Sequence, residues 1–252
     1  MAPPAKHRID VLLVERGLAE TRTRARALLM AGRVTADGRR MEKAGAMVEE
    51  SAALEVKSGP RYVGRGGIKL AHALQEFSLS ASGTTALDVG ASTGGFTDCL
   101  LQHGAHRVYA LDVGYGQLDQ RLRQDPRVVV MERMNARLPF QLPEAVDLAA
   151  VDVSFISLRL VLPSVAEHVK LGGRIIALVK PQFEAERRQV GKRGVIRDPK
   201  VHAAVLARII NWAIGSGFRL RGLTPSPILG DEGNREFFLL LETTSTEGTR
   251  PG

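Results

Sequence analysis

Apolar positions along the chain follow two rhythms. In residues 8–17, Arg-Ile-Asp-Val-Leu-Leu-Val-Glu-Arg-Gly, they fall at helical spacing and stop at Gly17. Thr21 is placed to cap a second helix running through Met30, with Gly32 as its stop. On that helix Leu28 and Leu29 face a core, while Arg22 and Arg26 share another face at i, i+4, with Arg24 nearby. Asp37-Gly38 signals a tight hairpin, and Val48 and Leu54-Glu-Val56 add short strands.

From Ile68 the rhythm changes. A helix over 68–77 precedes strands at 85–90, 107–112, 127–131, 147–153 and 174–180. Helices at 95–103, 115–124 and 158–169 lie between them, a long amphipathic helix follows at 199–215, and strands at 218–225 and 236–242 close the pattern. Such alternation implies a mostly parallel sheet covered by helices on both faces. Between the two rhythms, Gly59-Pro60 breaks structure and Gly64, Gly66 and Gly67 loosen it. The organisation expected is therefore a small α+β domain over 1–58, a linker over 59–67, an α/β domain over 68–243 and a disordered tail over 244–252.

Charge adds a partner. The net charge is +8, and residues 1–65 carry +5 of it, so the basic surplus is concentrated toward the N-terminus, in the first module and its linker. A polyanion is the natural ligand for such a module, with the arginines of the second helix contacting phosphates. No run reaches the roughly 18 apolar residues that span a bilayer, and the start, Met-Ala-Pro-Pro-Ala-Lys-His-Arg, lacks the apolar core of a signal peptide. The single cysteine, Cys99, fits a reducing compartment and a buried structural role. A cytoplasmic protein without membrane association is expected. His103 and His106 flank Gly104, but no further ligands stand at metal spacing, so no metal is expected.

The richest chemistry lies at 86–100, where Ala-Leu-Asp-Val ends a strand, Gly-Ala-Ser-Thr-Gly-Gly makes a turn of small residues, and Phe96 opens a helix. A strand that stops at glycines lets a ligand approach the backbone. Asp112, ending the next strand, is placed to accept from two ribose hydroxyls. These features alone suit either NAD or S-adenosylmethionine. The spacing D-x-G-x-x-x-G-G lacks the middle glycine of the dinucleotide fingerprint, which is Ser92 here, and this favours S-adenosylmethionine. Asp88 would face the ammonium of that donor, Ser92, Thr93 and the turn amides its polar groups, and Asn135 its adenine. The expected donor-binding set is Asp88, Gly90, Ser92, Thr93, Gly94, Gly95, Phe96, Asp112 and Asn135.

Four further residues stand where the carboxyl ends of the strands converge: Lys69, Asp152, Lys180 and Glu236. An aspartate in the apolar run Val-Asp-Val-Ser-Phe is costly unless paired or functional. A lysine directly after Ile175–Val179 is drawn toward a partly dry site, where its pKa can fall. The runs Gly66-Gly-Ile-Lys69-Leu, Asp88-Val-Gly-Ala-Ser-Thr-Gly-Gly-Phe-Thr-Asp98, Val151-Asp-Val-Ser-Phe-Ile-Ser157, Lys180-Pro-Gln-Phe-Glu184 and Asn234-Arg-Glu236 resemble the TlyA family of ribosomal RNA methyltransferases, within the FtsJ-type class of RNA 2′-O-methyltransferases. The resemblance extends from Arg8 to Glu242. The run Thr21-Arg-Thr-Arg-Ala-Arg-Ala-Leu-Leu-Met-Ala-Gly-Arg-Val-Thr-Ala-Asp-Gly38 resembles the S-four-type RNA-binding module.

The resemblance implies a Rossmann-like methyltransferase sheet, mostly parallel with its last strand antiparallel, and a Lys-Asp-Lys-Glu tetrad on Lys69, Asp152, Lys180 and Glu236. It implies S-adenosylmethionine as methyl donor and ribosomal RNA as substrate, at cytidine of large-subunit RNA and in some members of small-subunit RNA. Arg8, Arg22, Arg24, Arg26, Arg33, Arg61 and Arg65 would contact that RNA. Competing readings are an NAD-dependent oxidoreductase, a pseudouridine synthase sharing the first module, a non-catalytic RNA-binding protein, and a membrane-active hemolysin, a name some members carry.

Overall fold

The computed structural model of the protein describes residues 5–57, 59, 61–191 and 194–244. The expected disordered tail, from residue 245 onward, lies outside them. The chain divides into two units, Met1–Arg61 and Tyr62–Gly252.

In the first unit β1 (Lys6–Arg8) runs directly into α1 (Ile9–Glu15) and is followed by α2 (Arg22–Met30). Thr21 Oγ1 accepts from Arg24 N at 3.1 Å, the cap expected of it. Then come β2 (Val34–Ala36), β3 (Arg39–Met41), β4 (Met47–Glu49) and β5 (Leu54–Val56). Asp37 and Gly38 both have positive φ and close the β2–β3 hairpin. Ile9, Leu13, Ala25, Leu29 and Val34 form the core. Strand β1 was not legible because Lys-His-Arg has no apolar alternation; its pairing with β4 fixes it.

The second unit opens with α3 (Arg65–Glu76), β6 (Thr85–Val89), α4 (Gly95–Gln102), β7 (Arg107–Leu111), α5 (Gln120–Arg123), β8 (Val128–Met131) and β9 (Val146–Val151). It continues with α6 (Leu162–Ala166), β10 (Val169–Val179), α7 (Pro181–Glu184), α8 (Pro199–Gly215), β11 (Phe218–Pro225) and β12 (Phe237–Thr243). The sheet order is β11-β12-β10-β9-β6-β7-β8, with β12 antiparallel to both neighbours and the remaining pairs parallel. Alternate residues serve opposite faces. Leu87, Val89, Ile175 and Ala177 pack into one core with α8, and Ala86, Ile176 and Leu178 into a second with α3 and α4.

Besides β10, which begins at Val169 rather than at 174, three elements differ markedly from their expected extents. Arg65–Gly67, expected in the linker, are the first turn of α3. Gly66 and Gly67 serve close packing there: a Cβ would stand 3.1 Å from the Phe96 ring at Gly66 and 2.2 Å from the Tyr62 ring at Gly67. The helix expected at 115–124 shrinks to α5, because Gly116 adopts φ +71° and Asp119 caps only the last turn. The helix expected at 158–169 is a 3₁₀ turn at Leu158–Leu160 followed by α6; Pro163, which lacks an N–H, sits in the first turn of the restarted helix.

Candidate active site

Strand register brings the candidate residues into one row. The chain runs β6, β7, β8 in one direction and returns to β9 on the other side of β6, so the strand order reverses between β6 and β9. Ligands of open α/β sheets bind at such a crevice, beyond the carboxyl ends of the strands. Val89 is level with Leu111 and Val151, which places Gly90, Asp112 and Asp152 side by side one step beyond. Val179 is level with Phe237, which sets Lys180 beside Glu236. Gly90 has φ +86°, and a Cβ there would lie 2.3 Å from the Asp152 carbonyl oxygen, so the crossing of the two chains excludes any larger residue.

Two adjoining cavities occupy this edge. The first, about 370 Å³, is lined by Gly90, Ser92, Asp112, Val113, Gln117, Met134, Asn135, Phe155 and Ile156 among others. Asp112 Oδ2 accepts from Ser92 N and Oδ1 from Gly114 N, both at 2.7 Å. A carboxylate has about four acceptor positions, so capacity for two hydroxyls remains. Asn135 Oδ1 accepts from Arg137 N at 3.0 Å, which fixes its amide at the cavity wall. Ser92 and Phe155 hold left-handed backbone conformations, φ +48° and +62°, uncommon for residues with side chains and often found at functional sites. Phe155 is 89% exposed and lies against Phe183, with ring centroids 4.8 Å apart.

The second cavity, about 240 Å³, shares Gly90, Ser92, Asp152 and Ser154 with the first. Lys69, Lys180, Glu236, Arg65 and Phe96 also line it. Two ion pairs stand in its wall. Lys69 Nζ lies 2.5 Å from Glu236 Oε2, with both side chains almost fully buried. Lys180 Nζ lies 2.6 Å from Asp152 Oδ1 and donates to Ser154 Oγ at 2.8 Å. The motif residues around them hold the loops. Buried Glu184 accepts from Ser157 Oγ at 2.6 Å and Leu158 N at 2.7 Å, tying the segment after β9 to α7. Buried Asn234 accepts from Ile196 N and donates to Gly194 O, both at 3.0 Å, which anchors the approach to Glu236.

All four tetrad residues thus line one cavity. Of the donor-binding set, Gly90, Ser92, Asp112 and Asn135 line the larger cavity, and Thr93, Gly95 and Phe96 the smaller. Asp88 and Gly94 line neither. Asp88 is fully buried behind the turn, where its Oδ2 accepts from Thr97 Oγ1 at 2.6 Å. Its pKa is raised to about 7, first by burial and then by the charges of Asp152 and Asp112, against the stabilising Thr97 hydrogen bond. Through that bond it braces the turn. Gly94 caps α4 with φ +97° and packs under Leu118 and Leu122. Ser154, Phe155, Val113 and Gln117 were missed; Ser154-Phe155, directly after Asp152-Val153, was the available signal.

Among the expected RNA contacts, Arg24 and Arg61 are exposed, and Arg33 lies against Gly59. Arg65 is at the mouth of the smaller cavity and donates to Leu229 O. Arg8, Arg22 and Arg26 converge on Asp10, an arrangement the sequence did not disclose.

A seven-stranded sheet with a single reversed strand, a carboxylate ending the second strand and a polar cleft at the switch point define a Rossmann-like domain of the methyltransferase type. Residues 62–243 match the FtsJ-like methyltransferase family and residues 7–54 the S4 domain; the chain belongs to the FtsJ-like methyltransferase family. It is 53% identical to "Putative rRNA methyltransferase YqxC" of Bacillus subtilis over 94% of this chain and 85% of that one. It is 45% identical to "16S/23S rRNA (cytidine-2'-O)-methyltransferase TlyA" of Mycobacterium tuberculosis over 94% of this chain and 90% of that one. A solved structure, "Putative hemolysin" from Streptococcus thermophilus, superposes with a TM-score of 0.71 at 45% identity, covering 96% of this chain and 90% of that one. Among the described residues no helix is long and apolar enough to cross a membrane.

Proposed function

We propose that this protein transfers a methyl group from S-adenosylmethionine to the 2′-hydroxyl of a cytidine in ribosomal RNA, in the large subunit and in the small subunit as well. The observation that carries the reading is the pair of adjoining cavities: one lined by Asp112 and Asn135, the other by Lys69, Asp152, Lys180 and Glu236, with Asp152 and Ser154 on their common border. The names of the relatives point the same way, and the S4 domain with its arginines suits a structured RNA.

The residues of the first cavity fit the donor. Asp112 has acceptor positions left for the ribose hydroxyls, Asn135 has an amide for the adenine edge, and Val113, Met134 and Ile156 supply apolar wall for the ring. When bound, the donor supplies a methyl group on a sulfonium that is already a good leaving group. The protein's remaining task is to place and deprotonate the ribose oxygen. Lys180, held by Asp152 and Ser154, donates toward the 2′-oxygen and lowers the cost of losing its proton, which passes through the Lys180–Asp152 pair to solvent. The Lys69–Glu236 pair fixes the facing wall and orients the ribose. Phe155 offers an exposed ring on which a splayed base can stack.

The test is incubation with labelled S-adenosylmethionine and purified large and small ribosomal subunits, followed by mapping of 2′-O-methyl positions. Label at a cytidine ribose supports the reading. Label on a base, or no label on either subunit, overturns it.

A further inference from the structure

We propose that Asp10 is the positioning residue of a phosphate-binding cluster on the S4 domain, formed by the guanidinium groups of Arg8, Arg22 and Arg26. Asp10 is fully buried, in the first turn of α1. Arg8 donates to it twice, from Nε to Oδ1 at 3.0 Å and from a terminal nitrogen to Oδ2 at 3.2 Å. Arg22 reaches Oδ2 from α2 at 3.1 Å, and Arg26, one turn further along, reaches the same oxygen at 3.3 Å. Three cations around one anion leave a net charge of +2 on a patch whose arginine side chains remain about half exposed.

The arrangement differs from a pairing that merely neutralises charge. A buried carboxylate needs compensation, and one guanidinium with a bidentate grip provides it. The second and third arginines repel the first, and they share this position only because both can hydrogen-bond to the same oxygen. Each guanidinium has five N–H donors and spends one or two on Asp10, so the outward donors are held in a fixed array. An array of fixed forks with excess positive charge matches the phosphodiester backbone of a folded RNA. Arg22 and Arg26 come from α2 and Arg8 from the β1–α1 junction, while Asp10 is on α1, so the cluster also depends on how α1 packs on α2. The Asp10 carboxyl is held well below the usual carboxylate range, first by the Arg8 hydrogen bonds, so the cluster stays charged throughout physiological pH.

This inference rests on the RNA substrate proposed above. Its test exploits the sign of the charge change. Asp10→Asn makes the protein more basic by one charge. If long-range attraction governed binding, the variant would hold RNA more tightly. Positioning demands the opposite. With the full-length protein and purified large ribosomal subunits as probe, Asp10→Asn should bind about tenfold more weakly. The slope of log affinity against log salt should fall by about 1 to 2, at roughly 0.7–0.9 for each phosphate no longer engaged. The KM for subunits should rise while kcat and S-adenosylmethionine affinity hold.

Two surface variants keep the idea testable should Asp10→Asn unfold the domain, which a thermal melt would reveal. Arg22→Lys keeps the charge but loses the fork. Arg24→Ala removes a whole charge from the same helix, outside the cluster. Arg22→Lys should weaken binding more than Arg24→Ala. Equal or tighter binding by a folded Asp10→Asn, or a loss in Arg24→Ala that matches or exceeds that in Arg22→Lys, overturns the proposal. A wild-type protein that neither binds nor methylates subunits overturns the RNA substrate itself, a result distinct from a defect confined to the variants.

Discussion

Replacing Asp112 with asparagine isolates the carboxylate proposed to bind the donor, at nearly constant volume. In the native cleft its two oxygens each accept one backbone N–H at 2.7 Å, from Ser92 and Gly114, and the remaining acceptor positions face the cavity. The amide has one oxygen. Whichever way it turns, an NH₂ faces one of those backbone donors, and only one ribose hydroxyl retains an acceptor. One charge-assisted hydrogen bond, worth about 1.5–3 kcal/mol, is lost and the other weakened. The total of about 2–4 kcal/mol corresponds to roughly 30- to 1000-fold in Kd. Calorimetric titration with S-adenosylmethionine measures it directly. A second comparison localises the effect: the wild type should prefer adenosine to 2′,3′-dideoxyadenosine, and the variant should lose most of that preference. A folded variant whose donor affinity stays within threefold of wild type, or one that keeps the full preference for the hydroxylated ligand, would refute the assignment of Asp112 to the ribose.

Lys180→Ala should abolish methyl transfer while donor affinity stays within about twofold, read by rapid-quench turnover and calorimetry; near-wild-type turnover sinks the role given to Lys180. Lys69→Met leaves Glu236 buried without its partner and should cost about 3–5 kcal/mol in denaturant unfolding. The double change Lys69→Met, Glu236→Leu should regain much of that stability but no activity, and recovery of activity would make the pair purely structural. Asp88 carries a pKa of about 7 in the fold against an ordinary value of 3.8. The folded state therefore binds the proton more tightly, so the group's contribution to stability is fullest below about pH 4 and declines as pH rises to about 7. Asp88→Asn should remove that decline, up to about 4 kcal/mol by pH 8 relative to wild type; parallel stability-versus-pH curves for the two proteins would contradict it.

The sheet was legible because its strands are short apolar runs punctuated by Gly, Asp and Lys. The register then followed, since each of Gly90, Asp112, Asp152 and Lys180 terminates its run. Position along a strand is a local property and a sequence states it. Which face a side chain takes within the turn is not. Asp88 and Asp112 both end apolar runs, yet Asp88 is the last residue but one of β6 and points into the core behind the turn, whereas Asp112 lies one step beyond β7 and reaches the cleft. The same limit hid the role of Gly66 and Gly67. Glycine pairs signal freedom or close approach equally well, and only the Tyr62 and Phe96 rings packed against them decide for close approach. Alanine at these positions would therefore report a clash at Gly67 rather than a loss of linker freedom.

The distribution of charge ties the two halves of the proposed reaction together. A chain with a net charge of +8 nonetheless gathers Asp112 and Asp152 at one cleft, with Asp88 close enough behind for both to act on its titration. A polyanionic substrate gains nothing from carboxylates in a cleft, whereas the proposed sulfonium donor, bound there, would be attracted by Asp112. The basic surplus at the amino-terminal end is then free to serve the proposed RNA substrate. On this reading Lys180 stands at the boundary of the two fields, paired with Asp152 toward the donor side and open to the ribose on the other.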